Sequence, residues 1–197
     1  MRFMSVRRLF PLGIALALGI LPALAQDTVF RNTVTGEVLD FSYAMPEGRD
    51  TEGVKQFMAT GVNPYNERKE CLAKAEELFL TACSGCHGHL GEGKLGPGLN
   101  DNYWTYPKNT TDKGLFETIF GGGQGMMGPH NDLQLNELLQ VMAWIRHVYA
   151  GPIEDAPWLT PEQAKAFKPY KLPEGGDHGT QELAAAAPVD KCGPMPE

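Results

Sequence analysis

Residues 83–87 read Cys-Ser-Gly-Cys-His, and no other segment of the chain narrows the fold as far. Two thiols separated by two residues, followed at once by an imidazole, form the attachment pattern of c-type haem. The porphyrin sets the spacing. Both thiols can reach its two vinyl groups as thioethers, and the histidine then presents a ring nitrogen to the iron from one face. A thioredoxin-like dithiol would sit in a βαβ context, which is missing here. A zinc half-site would need a second ligand pair at matching spacing, and none is present. Cys83 and Cys86 are therefore expected to hold one covalent haem c, with His87 as an iron ligand. The motif occurs once, so one haem is expected.

Residues 1–25 carry Arg2, Arg7 and Arg8, then an apolar run ending Ala-Leu-Ala. This is the layout of a secretory signal peptide, with cleavage expected after Ala25 and a periplasmic location. No other apolar stretch approaches the ~20 residues of a spanning helix, so no membrane span is expected in the mature form. The 197 residues have a formal net charge of −7. Losing the leader removes three arginines and no acidic group, which makes the mature chain more acidic still. Such a chain is a poor match for nucleic acid or an anionic membrane, and a better one for a basic protein partner. Its length suits one core with extensions, and a monomer is expected.

Three regions follow the leader. Residues 26–64 form an N-terminal extension. In it the β-prone runs of 28–38 around Thr35-Gly36 suggest a hairpin, and Thr51 is placed to cap a short helix ending at Gly61. Residues 65–150 carry the strongest helical periodicity. A first helix is expected from about Asn66 to Ala82, with Leu72, Ala75, Leu78 and Phe79 on one stripe. A second should cover about Asp112–Phe120 after Thr-Thr-Asp, and a third about Gln134–Tyr149 before Gly151-Pro152. The loops between them are rich in Gly and Pro and have little apolar matter of their own to bury. Residues 151–197 form a C-terminal extension, in which Thr160-Pro161-Glu162-Gln163 reads as a capping box opening a short helix to about Phe167.

The second axial ligand has to come from elsewhere. Met126 and Met127 lie in Gly125-Met126-Met127-Gly128-Pro129, between the second and third helices. Methionine opposite histidine is the ligation of electron-transfer cytochromes c and raises the potential. Neighbouring side chains in an extended segment point to opposite sides, so only one of the pair can face the iron. Plain core filling is the alternative for either. His130 is a rival by sequence distance, although a histidine beside a turn is more often structural. His89 is too close to His87 to reach the opposite face, His147 suits a surface or helix-dipole role, and His178 falls in the tail. Cys71 and Cys192, single cysteines in an oxidising compartment, are expected to pair as a disulfide, with two free thiols as the alternative.

The order of parts resembles class I cytochrome c: helix, haem motif, Gly-Pro loop, second helix, methionine loop, final helix with an aromatic. The resemblance implies a mostly α fold with helices around one covalent haem. It places the haem environment on Leu95-Gly96-Pro97-Gly98-Leu99. There the Pro97 carbonyl would accept the His87 Nδ1–H and Leu99 would pack on the haem. Phe79 and Trp144 match the aromatic contacts between first and last helices. Trp104 and Tyr106 fall where the fold often places donors to the haem propionates, with packing on the porphyrin edge as the alternative. A narrower resemblance rests on Cys-Ser-Gly-Cys-His-Gly-His, on Gly-Pro-Gly-Leu-Asn-Asp-Asn-Tyr-Trp-Thr-Tyr-Pro and on Gly-Met-Met-Gly-Pro-His. These segments are similar to cytochrome cL, the periplasmic electron acceptor of PQQ-dependent methanol dehydrogenase. The resemblance favours Met127 over Met126 as the ligand.

That family implies a single-electron carrier rather than an enzyme. It would take electrons from methanol dehydrogenase and pass them to a small cytochrome c or a terminal oxidase. Three alternatives stand beside it: a cytochrome serving another quinoprotein alcohol dehydrogenase, a haem enzyme that loses its methionine to open a coordination site, and a haem-based sensor. The family also raises calcium near a propionate, for which Asn100-Asp101-Asn102 could supply oxygen ligands; ordinary turn chemistry is the competing reading.

Overall fold

The computed structural model describes residues 28–66 and 68–171. The leader, His178, the alanine run of the tail and Cys192 lie outside the described residues. Among the described residues six α-helices carry the fold: α1 Glu52–Thr60, α2 Lys69–Ala82, α3 Ser84–His87, α4 Asp112–Gly121, α5 Leu135–His147 and α6 Pro161–Ala166. Short 3-10 turns at Phe41–Tyr43, Pro107–Thr110 and Ile153–Asp155 join them, and the described residues contain no strand.

The centre is the crossing of α2 on α5. Cys71, Leu72, Ala75, Leu78 and Phe79 give α2 one buried stripe. The neighbouring α5 is buried nearly all round, from Leu138 through Arg146. A helix apolar on every side belongs inside a protein, and here other segments cover the faces that α2 leaves open. Gln134 and Glu137 close a capping box at its start. The first of these helices begins at Lys69, three residues later than expected. Asn66 is already spent before it, donating its side-chain amide to Asp112 at 2.8 Å.

Polar side chains lock the second layer to this pair. Arg146 is fully buried on α5 and donates from Nε to Asp112 Oδ1 at 3.0 Å. It also donates from Nη2 to the Asn109 carbonyl at 2.9 Å. Asp112 opens α4, and its other oxygen accepts from the Asn63 backbone at 2.9 Å as well as from Asn66. One buried carboxylate thus joins the connection before α2, the start of α4 and the end of α5. Removing either partner of such a pair would strand a charge in the core, at a cost of about 3–5 kcal/mol.

The N-terminal extension lies on α4. Thr51 caps α1 by accepting from Val54 N, and Gly61 ends it at φ +72°. Phe57 of α1 stacks with Phe30 and Phe116 at centroid distances of 5.4 and 4.9 Å, and Phe41 adds to the same cluster against Phe120 at 5.1 Å. The expected hairpin shrinks to one antiparallel bridge, Arg31 with Val38. Two cross-strand main-chain bonds frame that bridge, Asn32 N–H to the Glu37 carbonyl at 2.8 Å and Leu39 N–H to the Phe30 carbonyl at 3.0 Å. Arg31 N–H donates to the Glu117 carboxylate at 2.6 Å, and Asn32 accepts from the Val34 and Thr35 amides while donating to the Gly121 carbonyl at 2.9 Å. The Arg31 amide, turned away from the partner segment at a bridge of this kind, thus ties the extension to α4, and the Asn32 side chain closes the local turn.

The C-terminal extension makes its own small core. Tyr149, Ala156, Trp158 and Phe167 are buried together, with the Tyr149 and Trp158 rings edge to face at 4.8 Å. The capping box at Thr160 is present and α6 follows it to Ala166. The segment's end is tied back where Tyr170 N–H donates to the Tyr149 carbonyl at 2.8 Å.

Candidate haem-binding site

One cavity of about 450 Å³ gathers most residues singled out from the sequence. Cys83, Cys86, His87, Pro97, Leu99, Trp104, Tyr106, Met126 and Met127 all line it. They come from four separate stretches of chain, so the fold and not local sequence brings them together.

The histidine wall is built by main-chain bonds. Cys83 ends α2 and at the same time opens α3, the single helical turn that carries Cys86 and His87. Residues 91–99 then fold back beneath that turn. Gly93 N–H donates to the His87 carbonyl at 2.7 Å, Gly96 N–H to Cys86 at 2.8 Å, and Leu99 N–H to Gly91 at 2.6 Å. This brings the Pro97 carbonyl 2.8 Å from His87 Nδ1. A carbonyl can only accept, so Nδ1 carries the ring proton and Nε2 keeps a free lone pair, which is what a metal ligand requires. Gly96 lies flat against the imidazole. A Cβ there would stand 2.7 Å from His87 Cε1, so only glycine lets the loop approach so closely.

The two thiols are free, Cys83 partly buried and Cys86 exposed. Burial, aided by neighbouring Cys86, pushes the Cys83 thiol up to about 12. Its sulfur lines a mainly apolar cavity, where a haem vinyl group would lie beside it.

The methionine wall is a glycine loop pinned at its base. Gly123 N–H donates to the Met127 carbonyl at 3.0 Å, and His130 N–H donates to the Ile119 carbonyl on α4 at 3.0 Å. Gly122 sits at φ +82°, where a Cβ would press on Pro129 N at 2.9 Å. Tyr106 braces the loop by accepting from Gln124 N–H at 2.6 Å. The two methionines part company here. Met126 is 84% exposed, whereas Met127 is partly buried against the core.

Trp104 is buried in the wall beside Asn109, and its Nε1 has no hydrogen-bond partner among the described residues. A buried donor without a partner is uncommon and fits a wall built to meet an anionic group of a bound cofactor. Sequence reasoning missed several lining residues. Asn109 lies in a connection that was given no role, Thr118 and Ile145 read as ordinary helix positions, and nothing in a single sequence marks which face of a helix meets a cofactor. His130 also lines the cavity, near Asp132 at 3.8 Å.

Asn100-Asp101-Asn102 is occupied with turn and bridging contacts. The Asn100 carbonyl accepts from Ala150 N–H at 2.7 Å, Asp101 accepts from Tyr103 N–H at 2.9 Å, and Asn102 donates to Asp155 at 2.8 Å. Phe79 and Trp144 are both buried where α2 meets α5. Cys71 is buried and disulfide-bonded; its expected partner, Cys192, lies outside the described residues.

The residues present fit a c-type haem: two free thiols, a histidine with its outer nitrogen bare, a methionine in the same cavity and a largely apolar lining. A protein-family model described as cytochrome c oxidase, cbb3-type, subunit III, matches residues 71–145, from α2 to α5. Cytochrome c-L of Methylorubrum extorquens is 63% identical over 171 residues, covering 83% of this chain and 87% of that protein. Two solved structures share the fold. Cytochrome cL of the marine methylotrophic bacterium Methylophaga aminisulfidivorans is 57% identical at a TM-score of 0.71, covering 75% of this chain and 98% of that one. Cytochrome cL of Hyphomicrobium denitrificans is 65% identical at a TM-score of 0.69, covering 74% and 88%. With that identity across most of its length, the chain belongs to the cytochrome c-L family, as a c-type cytochrome that binds haem c covalently and carries electrons rather than catalysing a reaction.

Proposed function

We propose that this protein is the periplasmic single-electron acceptor of a PQQ-dependent methanol dehydrogenase, delivering electrons onward to a small cytochrome c or a terminal oxidase. When bound, the haem supplies a one-electron iron couple. Cys83 and Cys86 would anchor it, His87 Nε2 would ligate from one wall, and Met127 from the other. The observation that carries this reading is the meeting of His87 and Met127 in one cavity, each held by its own braced loop. Were both residues to ligate the iron, small substrates would be kept off it and the site would be left with electron transfer.

The burial of Met127 against the exposure of Met126 supports Met127 as the ligand. The Pro97 carbonyl orients His87, Leu99 packs at the haem face, and Trp104 and Tyr106 wall the propionate side. The leader ending at Ala25 directs export, and Cys71 pairs with Cys192 to fasten the tail. The choice of methanol dehydrogenase rests on the family and on relatives from a methylotroph.

Stopped-flow mixing of the oxidised holoprotein with substrate-reduced methanol dehydrogenase tests the partner, with an ethanol-specific quinoprotein as control. Fast, saturable reduction by the methanol enzyme, slowing as salt rises, is the expected outcome. Preferential reduction by the control would assign the protein to another alcohol dehydrogenase and leave its haem chemistry intact.

A further inference from the structure

Arg146 is the most deeply placed charge among the described residues, and the electron carrier's pocket does not account for it. It is 0% exposed, and burial pushes its guanidinium below its ordinary value, although an arginine keeps its proton in any protein. Two indoles cover it. The guanidinium carbon lies 4.0 Å from the centroid of Trp158 and 5.2 Å from that of Trp104. Trp104 is a wall of the haem cavity, whereas Trp158 belongs to the C-terminal extension. Arg146 also donates to the carbonyl of Asn109, a second wall residue, and its Nη1 has no partner among the described residues.

The charges are arranged with a direction. Asp112 takes the Nε edge of the guanidinium, and its carboxylate is further held by Asn63 and Asn66. Nη2 donates to Asn109 and the guanidinium carbon faces the Trp104 ring, and both of these residues line the cavity. The positive end of the pair is thus turned toward the haem, and the negative end toward the connection before α2.

We propose that Arg146 is a positioning residue for the haem: clamped between Trp104 and Trp158, it fixes the Trp104 wall and raises the reduction potential with its buried charge, so the C-terminal extension tunes the cofactor. The oxidised iron centre carries one more positive charge than the reduced one. A cation held nearby, with water kept out, disfavours the oxidised form, and water reaching that cation would weaken its field. Trp158 supplies the cover. The inference rests on the haem pocket and on no particular redox partner, so it stands or falls apart from the assignment of methanol dehydrogenase.

The test is a spectroelectrochemical titration of the purified holoproteins, with the far-red sulfur-to-iron band of the oxidised form recorded alongside. Arg146→Met should lower the potential, shifting the ratio of reduced to oxidised haem at fixed ambient potential by about tenfold, which is about 59 mV for one electron. Asp112→Asn, which leaves the cation uncompensated, should raise it. Trp158→Leu should lower it roughly threefold by the same measure as water screens the charge, and Trp158→Phe, which keeps an aromatic face, should restore most of the loss. The far-red band should persist throughout. If the buried variants do not fold, the two Trp158 variants decide alone. Equal potentials in wild type and Trp158→Leu, shifts of one sign for Arg146→Met and Asp112→Asn, or a shift that comes with loss of the band would each overturn the proposal.

Discussion

A single methyl group placed on Gly96 would stand 2.7 Å from the His87 ring, closer than any packed carbon tolerates. Either the loop or the imidazole must move, and the Pro97 hydrogen bond depends on both. Gly96→Ala should therefore destabilise the holoprotein by about 1–3 kcal/mol, read from thermal unfolding. A second residue-scale prediction separates the methionines. Met127→Leu should abolish the far-red band of the oxidised haem and let the reduced protein bind carbon monoxide, whereas Met126→Leu should leave both properties unchanged. Adjacency in an extended loop says that one faces inward without saying which, and only the family resemblance favoured Met127. Their difference in burial supports the same choice. The importance of Gly96 was equally invisible in the sequence, since it comes from a contact made across nine residues of chain.

At the scale of elements, Glu117 on α4 joins the N-terminal extension to the body. It pairs with Lys108 at 2.6 Å and Lys113 at 2.5 Å and accepts from the Arg31 backbone at 2.6 Å. Burial pushes its carboxyl upward, but the hydrogen bonds from Lys108, Lys113 and Arg31 outweigh it and hold the group below its ordinary 4.5. A lowered carboxylate contributes stability that is complete above the unfolded value and is lost as pH falls through the folded one. Acid unfolding below about pH 4.5 should thus be shallower in Glu117→Gln than in wild type, measured by circular dichroism across pH. The helices themselves were legible because apolar stripes and caps mark them: α1 runs between Thr51 and Gly61 as its end signals require, and α5 follows its stripe. The hairpin of the arm was not legible as the single bridge it is. Its β-prone residues carry no sign of where the pairing stops, nor that the outward-facing Arg31 amide binds Glu117, far along the chain.

Across the whole molecule, both extensions touch what surrounds the cofactor: the N-terminal one through phenylalanines on α4, the C-terminal one through Trp158 on Arg146. The proposed Cys71–Cys192 bond would close a loop of more than half the chain around this arrangement. On the chain-entropy view, reducing it should cost about 4–5 kcal/mol less any native strain, seen as a lower denaturant midpoint in the presence of reductant. If both thiols of the native oxidised protein take up an alkylating agent, the bond does not exist.

The loop under His87 holds its shape with main-chain atoms. Gly93, Gly96 and Leu99 give their amides to carbonyls, while Lys94 and Leu95 point outward, Leu95 at 72% exposure on the cavity's rim. Holding the iron and facing a visitor are therefore separate duties written in separate atoms. Such a loop can exchange its outward side chains over generations, acquiring or losing affinity for a particular redox partner, without relearning how to hold a histidine.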